Sequence, residues 1–177
     1  GIDAHGRPIV TDLKPDTDGT RICPGVVGAT NWFSPSYSET THLFYVLALE
    51  NCSIYFRKPE PFAEGSTYYS TGSKRPPDAS SEKVLLAFNP QTRTIAWQYP
   101  QVGEGHSWGG VMTTATGLVF FADDADFFEA ADASTGKSLW HFNTGQTLHA
   151  SPMSYAVRGR QYVAIASGND LFSFALP

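Results

Sequence analysis

Apolar residues along this chain fall into short runs of four to seven, rich in aromatic and β-branched side chains and closed by Gly, Asn, Asp, Ser or Thr. Leu43-Phe-Tyr-Val-Leu, Val84 to Phe88, Gly117-Leu-Val-Phe-Phe and Gln161-Tyr-Val-Ala-Ile are the clearest. Runs of that length and composition predict strands. Helical spacing of apolar positions is hard to find, so the pattern reads as all-β. Between two runs lies Asp132-Ala-Ser-Thr-Gly136-Lys. The Asp can bond its own downstream backbone and the Gly accepts a positive φ, which predicts a hairpin turn.

The runs repeat. Leu86 to Trp97 aligns with Glu129 to Trp140 at a constant offset of 43, the register held by Ala87/Ala130, Asn89/Asp132, Thr92/Thr135 and Trp97/Trp140. A second pattern precedes each unit: Trp108-Gly-Gly-Val-Met-Thr before Gly117, Ser151-Pro-Met-Ser-Tyr155 before Gly159, and Trp32-Phe-Ser-Pro-Ser-Tyr37 before Leu43. Four strands per unit, a period near 43 and a closing Trp describe a β-propeller blade. Val46 precedes Phe121 by 75 residues, 32 more than one period, so the first repeat carries an insertion. The expected organisation is one partial propeller domain over residues 1–177, about three four-stranded blades, with the insertion at about 51–83. Pro59 to Ser81 has turn chemistry and little alternation, which leaves open a functional loop or a packing arm. Arg93 stands where the second repeat has Gly136, and predicts a turn of another type.

Composition narrows the function. The chain is 41% hydrophobic and 16% charged, with a net charge of −5 and no basic cluster longer than two residues. That excludes nucleic acid as the main partner. No apolar stretch approaches the roughly 20 residues of a membrane span. With Met112 and Met153 the only methionines, the chain is expected to be a processed or excised piece. Cys23 and Cys52 leave free thiols or one disulfide open, and without a C-x-x-C pair they make no zinc set. Asp123-Asp124-Ala-Asp126 lacks the Gly and Glu of an EF-hand and sits where a hairpin must turn. His141 and His149 read as packing or surface residues, while His106-Ser107 has a plausible channel position. Neither a nucleophile elbow nor a phosphate-binding Gly loop occurs.

The unit Ala130-x-Asp-x-x-Thr-Gly-Lys-x-x-Trp140 resembles the tryptophan-docking motif of the pyrroloquinoline-quinone (PQQ) dehydrogenases. Related repeats occur in propellers without redox chemistry, including outer-membrane assembly scaffolds. More specific is the linear order Gly6-Arg-Pro, Cys23-Pro-Gly, Gly28-Ala-Thr-Asn31-Trp32, Ser36-Tyr37, Asn51-Cys52, Trp108-Gly-Gly, Ser151-Pro-Met-Ser-Tyr155 and Gln161-Tyr-Val. This succession covers essentially the whole chain and resembles the C-terminal part of a PQQ-dependent alcohol or methanol dehydrogenase.

The resemblance implies an eight-bladed periplasmic enzyme that oxidises an alcohol or sugar by hydride transfer to PQQ and passes electrons to a cytochrome-type acceptor. Its calcium or lanthanide ligands, aspartate base and basic side chain over the quinone would lie upstream of Gly1, so no catalytic or metal-binding residue is assigned here. Cofactor contacts are implied for Asn31, Trp32, Trp108, Gly109 and Gly110. Three have a plainer reading: Asn31 as a turn or cap asparagine, Trp32 as a buried structural tryptophan and Trp108 as a core tryptophan on an inner strand. The resemblance also implies a Cys23–Cys52 disulfide, and assigns Trp97 and Trp140 to packing between blades. Gly168-Asn-Asp-Leu-Phe-Ser-Phe lacks the tryptophan of methanol dehydrogenases, which favours another alcohol dehydrogenase subtype. The competing readings are a non-catalytic scaffold segment and an open stack of blades that self-associates through its edges.

Overall fold

Period-two alternation dictates where each strand's side chains go, and nowhere more clearly than in β9 (Leu118–Ala122). Val119 and Phe121 join a buried cluster with Leu43, Tyr45, Leu47, Leu85 and Ala87, while Phe120 and Ala122 join another with Phe128, Leu148 and Ile165. Successive side chains on a strand point to opposite faces. An unbroken apolar run is therefore what a sheet covered on both faces requires. The computed structural model describes residues 1–78, 82–103 and 108–175, and among them every helix or strand element is a strand.

The chain divides into two units, Gly1–Val26 with Asn51–Ala79 and Val27–Glu50 with Ser80–Pro177. In the larger unit, β2 (Ser36–Ser38), β3 (Leu43–Glu50), β6 (Glu82–Asn89) and β7 (Thr94–Pro100) form a four-stranded antiparallel sheet in that order. A second consists of β8 (Met112–Thr113), β9, β10 (Phe127–Asp132) and β11 (Ser138–Asn143). The third holds β12 (Met153–Val157), β13 (Arg160–Ser167) and β14 (Asp170–Phe174). Consecutive antiparallel strands in repeated sheets are the blades expected from the repeat.

The repeat extends to irregularities. The β6–β7 register shifts between Ala87 and Phe88, and the β10–β11 register between Ala130 and Ala131, the positions paired by the 43-residue offset. The turns also correspond, against the expectation for Arg93. Asn89 Oδ1 accepts from Gln91 N and Thr92 N, Asp132 Oδ1 from Ser134 N and Thr135 N. Arg93 N reaches Asn89 O and Gly136 N reaches Asp132 O, both at 2.8 Å, with φ of 60° and 73°. The side-chain bonds of Asn89 specify the turn, and Arg93 tolerates the left-handed region at a cost of about 1–2 kcal/mol.

Trp97 shows what the second turn is for. Its Nε1 donates to Ala133 O at 3.0 Å, and a Cβ on Gly136 would stand 2.6 Å from the indole. The Tyr45 hydroxyl donates to the same carbonyl at 2.8 Å. Trp97 thus packs from the first sheet onto a glycine of the second.

The smaller unit pairs β1 (Thr20–Ile22) with β4 (Ser53–Arg57), and β4 with β5 (Thr71–Lys74). The residues between β3 and β6 thereby take the N-terminal segment as a sheet partner. A Cys23–Cys52 disulfide closes this unit, 29 residues apart in sequence, with Gly25 N donating to Asn51 O at 2.9 Å and Val26 N to Ser53 Oγ at 3.0 Å. Closing such a loop contributes about 3–4 kcal/mol.

Candidate functional site

Just ahead of β2 and β8 the larger unit brings Asn31, Trp32 and Trp108 into one neighbourhood. The indoles of Trp32 and Trp108 stack with centroids 6.0 Å apart and planes 3° from parallel. Beneath them Phe33, 3% exposed, meets both edge-on at 6.3 and 5.9 Å. Trp32 itself is 66% exposed. The plainer reading of it as a buried structural residue does not hold in this chain, where Phe33 takes the core position and the Trp32 ring faces outward.

Asn31 is held by its own loop. Its Nδ2 donates to Val27 O at 3.1 Å and its Oδ1 accepts from Trp32 N at 2.9 Å. An amide has two N–H donors and two acceptor lone pairs. Among the described residues, one of each stays uncommitted.

Gly109 and Gly110 are buried. A Cβ on Gly109 would lie 2.9 Å from Ala122 Cβ, and one on Gly110 would collide with Ser151 Oγ and stand 2.5 Å from Ser34 Oγ. The close approach these glycines permit in this structure is to protein. Ser34 Oγ donates to Ser151 Oγ at 2.6 Å, Val111 N to Ser34 O at 2.8 Å, and Gly110 N to Ala150 O at 3.3 Å. Sequence reasoning missed Ser34 and Ser151, although each belongs to the repeated segment ahead of an inner strand.

A flat ring bearing oxygens suits this wall. Exposed indole offers a stacking surface and the Asn31 amide offers hydrogen bonds. None of Asn31, Trp32, Trp108, Gly109 and Gly110 carries a charge to balance carboxylates. Nor do the described residues include a cluster of three metal-ligating side chains, so they do not supply a metal cage. They fit the ring of a quinone cofactor and not its counter-ion.

Other acidic and basic groups serve the fold. Asp123 Oδ1 accepts from Ala125 N and Phe127 N, closing the β9–β10 hairpin, and burial raises its carboxyl above the ordinary value. Asp124 receives Lys83 Nζ at 3.0 Å with both side chains almost fully buried. Burial lowers the Lys83 ammonium despite that partner. Glu129, buried in β10, accepts from Ser138 Oγ at 3.1 Å and is raised chiefly by desolvation. His141 and His149 are exposed, His141 edge-on to Phe127 at 5.4 Å. His106 and Ser107 lie outside the described residues.

Repeated antiparallel sheets, each opening on a short first strand, are blades of a β-propeller. The family described as "Glucose/ethanol/alcohol dehydrogenase, beta-propeller domain" matches residues 83–163. The quinoprotein alcohol dehydrogenase PedH of Pseudomonas putida is 31% identical over 177 residues, covering 95% of this chain and 29% of that protein. The 1-butanol dehydrogenase (quinone) of Thauera butanivorans is 32% identical over 173 residues, covering 92% and 27%. The crystal structure of quinohemoprotein alcohol dehydrogenase from Comamonas testosteroni superposes with a TM-score of 0.84 at 29% identity, covering 95% and 27%. This chain belongs to the PQQ-dependent quinoprotein alcohol dehydrogenases. It spans less than a third of the length of the curated relatives it matches.

Proposed function

We propose that this chain is the cofactor-facing C-terminal wall of a periplasmic PQQ-dependent dehydrogenase acting on alcohols or sugars. The observation that carries this reading is the exposed Trp32 ring, stacked on Trp108 beside a half-committed Asn31 amide. In such a protein the quinone supplies the two-electron acceptor: the substrate gives up a hydride and a proton and leaves as the carbonyl product. The chain's own contribution is to stack against the ring through Trp32 and Trp108 and to hydrogen-bond an oxygen through Asn31. Gly109 and Gly110 let the Trp108 segment sit flush with its neighbours. Calcium or a lanthanide, the base and the docking of a cytochrome-type acceptor belong to residues beyond this chain, and the isolated chain is inactive.

The test is to produce the full reading frame, add PQQ with calcium or a lanthanide, and measure dye-linked oxidation of alcohols and sugars together with the quinone spectrum. Asn31→Ala and Trp108→Ala are expected to weaken quinone binding about tenfold each. Absence of quinone uptake and turnover across the substrates defeats the reading. Unchanged affinity in both variants turns it toward a propeller scaffold.

A further inference from the structure

Three segments far apart in sequence meet directly beside the stacked tryptophans. Ser34 follows Asn31-Trp32-Phe33, Gly110 follows Trp108-Gly109, and Ser151 opens the third repeat. They lead into the first strands of three successive sheets, β2, β8 and β12. Hydrogen bonds join all three: Val111 N to Ser34 O, Gly110 N to Ala150 O, and Ser34 Oγ to Ser151 Oγ. The serine hydroxyls fill the space a Cβ on Gly110 would need. Ser34 and Gly110 each stand two residues from a tryptophan of the stack, and Ser151 is bonded to Ser34.

We infer that Ser34 and Ser151 are positioning residues that, through Gly110, set the register of the Trp32–Trp108 stack against the cofactor. The inference rests on the cofactor reading above. The serine pair is a spacer of fixed width: it ties the segment ahead of the first sheet to the segment ahead of the third across Gly110 of the second, and Ser34 O accepts from Val111 N in the segment that carries Trp108. A shift of Gly110 moves Trp108 relative to Trp32 while the sheets behind them stay as they are. A binding group displaced by a fraction of an ångström can lose much of its affinity for the ligand.

The experiment uses the full-length protein that carries this chain, with two readouts. One is the near-ultraviolet circular dichroism of the stacked indoles in the cofactor-free protein, identified by its loss in Trp32→Phe. The other is the dissociation constant for PQQ. Ser151→Ala is expected to change the indole signal, weaken PQQ about fivefold and leave the unfolding midpoint in place. Gly110→Ala is expected to weaken PQQ about tenfold, with partial rescue in Gly110→Ala/Ser151→Gly, which removes two of the closest colliding atoms. An unchanged indole signal and affinity in Ser151→Ala, or the absence of rescue by Ser151→Gly, overturns the inference. If the wild-type protein takes up no PQQ, the cofactor reading fails by itself. The indole signal of Ser151→Ala then still decides whether the serines set the stack.

Discussion

The seam between the first and second sheets and the seam between the second and third are built from the same repeat, yet they hold by different means. In the first, Trp97 donates to Ala133 O and lies on Gly136, Tyr45 donates to the same carbonyl, and a buried Lys83–Asp124 pair crosses between the sheets. In the second, Trp140, the Trp97 equivalent, is 38% exposed and meets Phe174 edge-on at 5.0 Å. Phe142 packs on Phe172 at 5.6 Å and on Phe174 at 5.1 Å. Around the two equivalent tryptophans, the first seam is anchored by directional bonds and a buried charge, the second by aromatic faces. A repeat residue brings its shape to a seam, and its neighbour determines whether it becomes an anchor or a slab.

The largest break in this contrast comes from the buried ion pair. Lys83→Met removes the ammonium that faces the buried Asp124 carboxylate and should cost about 3 kcal/mol or more by denaturant unfolding of the full-length protein. Adding Asp124→Leu should recover most of it, because removing both charges removes both desolvation penalties. Next is Gly136→Ala, which combines a positive φ with a Cβ 2.6 Å from Trp97 and should cost about 2–3 kcal/mol. Gly159→Ala is its control: φ is 80° with open space around the Cβ, so about 1 kcal/mol is expected. Equal losses at the two glycines would mean that Trp97 does not bear on the turn.

The tryptophans separate the seams more finely. Trp97→Phe loses a hydrogen bond and ring area and should destabilise by about 1–2 kcal/mol, whereas Trp140→Phe should cost under about 1 kcal/mol. Thermal midpoints measured side by side would show whether the order holds. The smallest effect is a pH dependence. Burial raises the Glu129 carboxyl, so the folded protein keeps its proton to higher pH than the unfolded chain. That group's stabilisation is complete below its unfolded value and is lost as pH rises through the folded one. Glu129→Gln, locked neutral, should gain on the order of 1 kcal/mol over the parent near neutrality and nothing in acid. A constant difference across a pH series of unfolding curves would refute it.

What the sequence shows and what it hides follow from distance along the chain. The 43-residue offset announces both docking-position tryptophans, and the paired turns and register shifts of the structure fall on the same offset, because each is a local pattern copied whole. The run from Leu118 to Ala122 shows a sheet covered on both faces before any neighbour is known. Arg93 misleads because a glycine substitution looks decisive, while the turn depends on the Asn89 side chain four residues earlier. The Ser34–Ser151 bond joins residues 117 apart: Ser-Pro recurs in both repeated segments, but no spacing pairs the two hydroxyls. Likewise, that β1 would partner β4 depends on a pairing between segments with no shared pattern. In the site, Asn31, Trp32 and Trp108 are marked by motif, and their stacking by geometry alone.

The strand from Leu118 to Ala122 has a consequence for how such arrays arise. Val119 and Phe120 are sequence neighbours that belong to different seams, so inserting one residue between them would exchange the two sets of side chains. Drift by insertion is closed to this strand, while whole-unit copying is open. A duplicated unit already presents an apolar face to whatever precedes it and another to whatever follows. Gene duplication can therefore lengthen the array tile by tile without redesigning an interface.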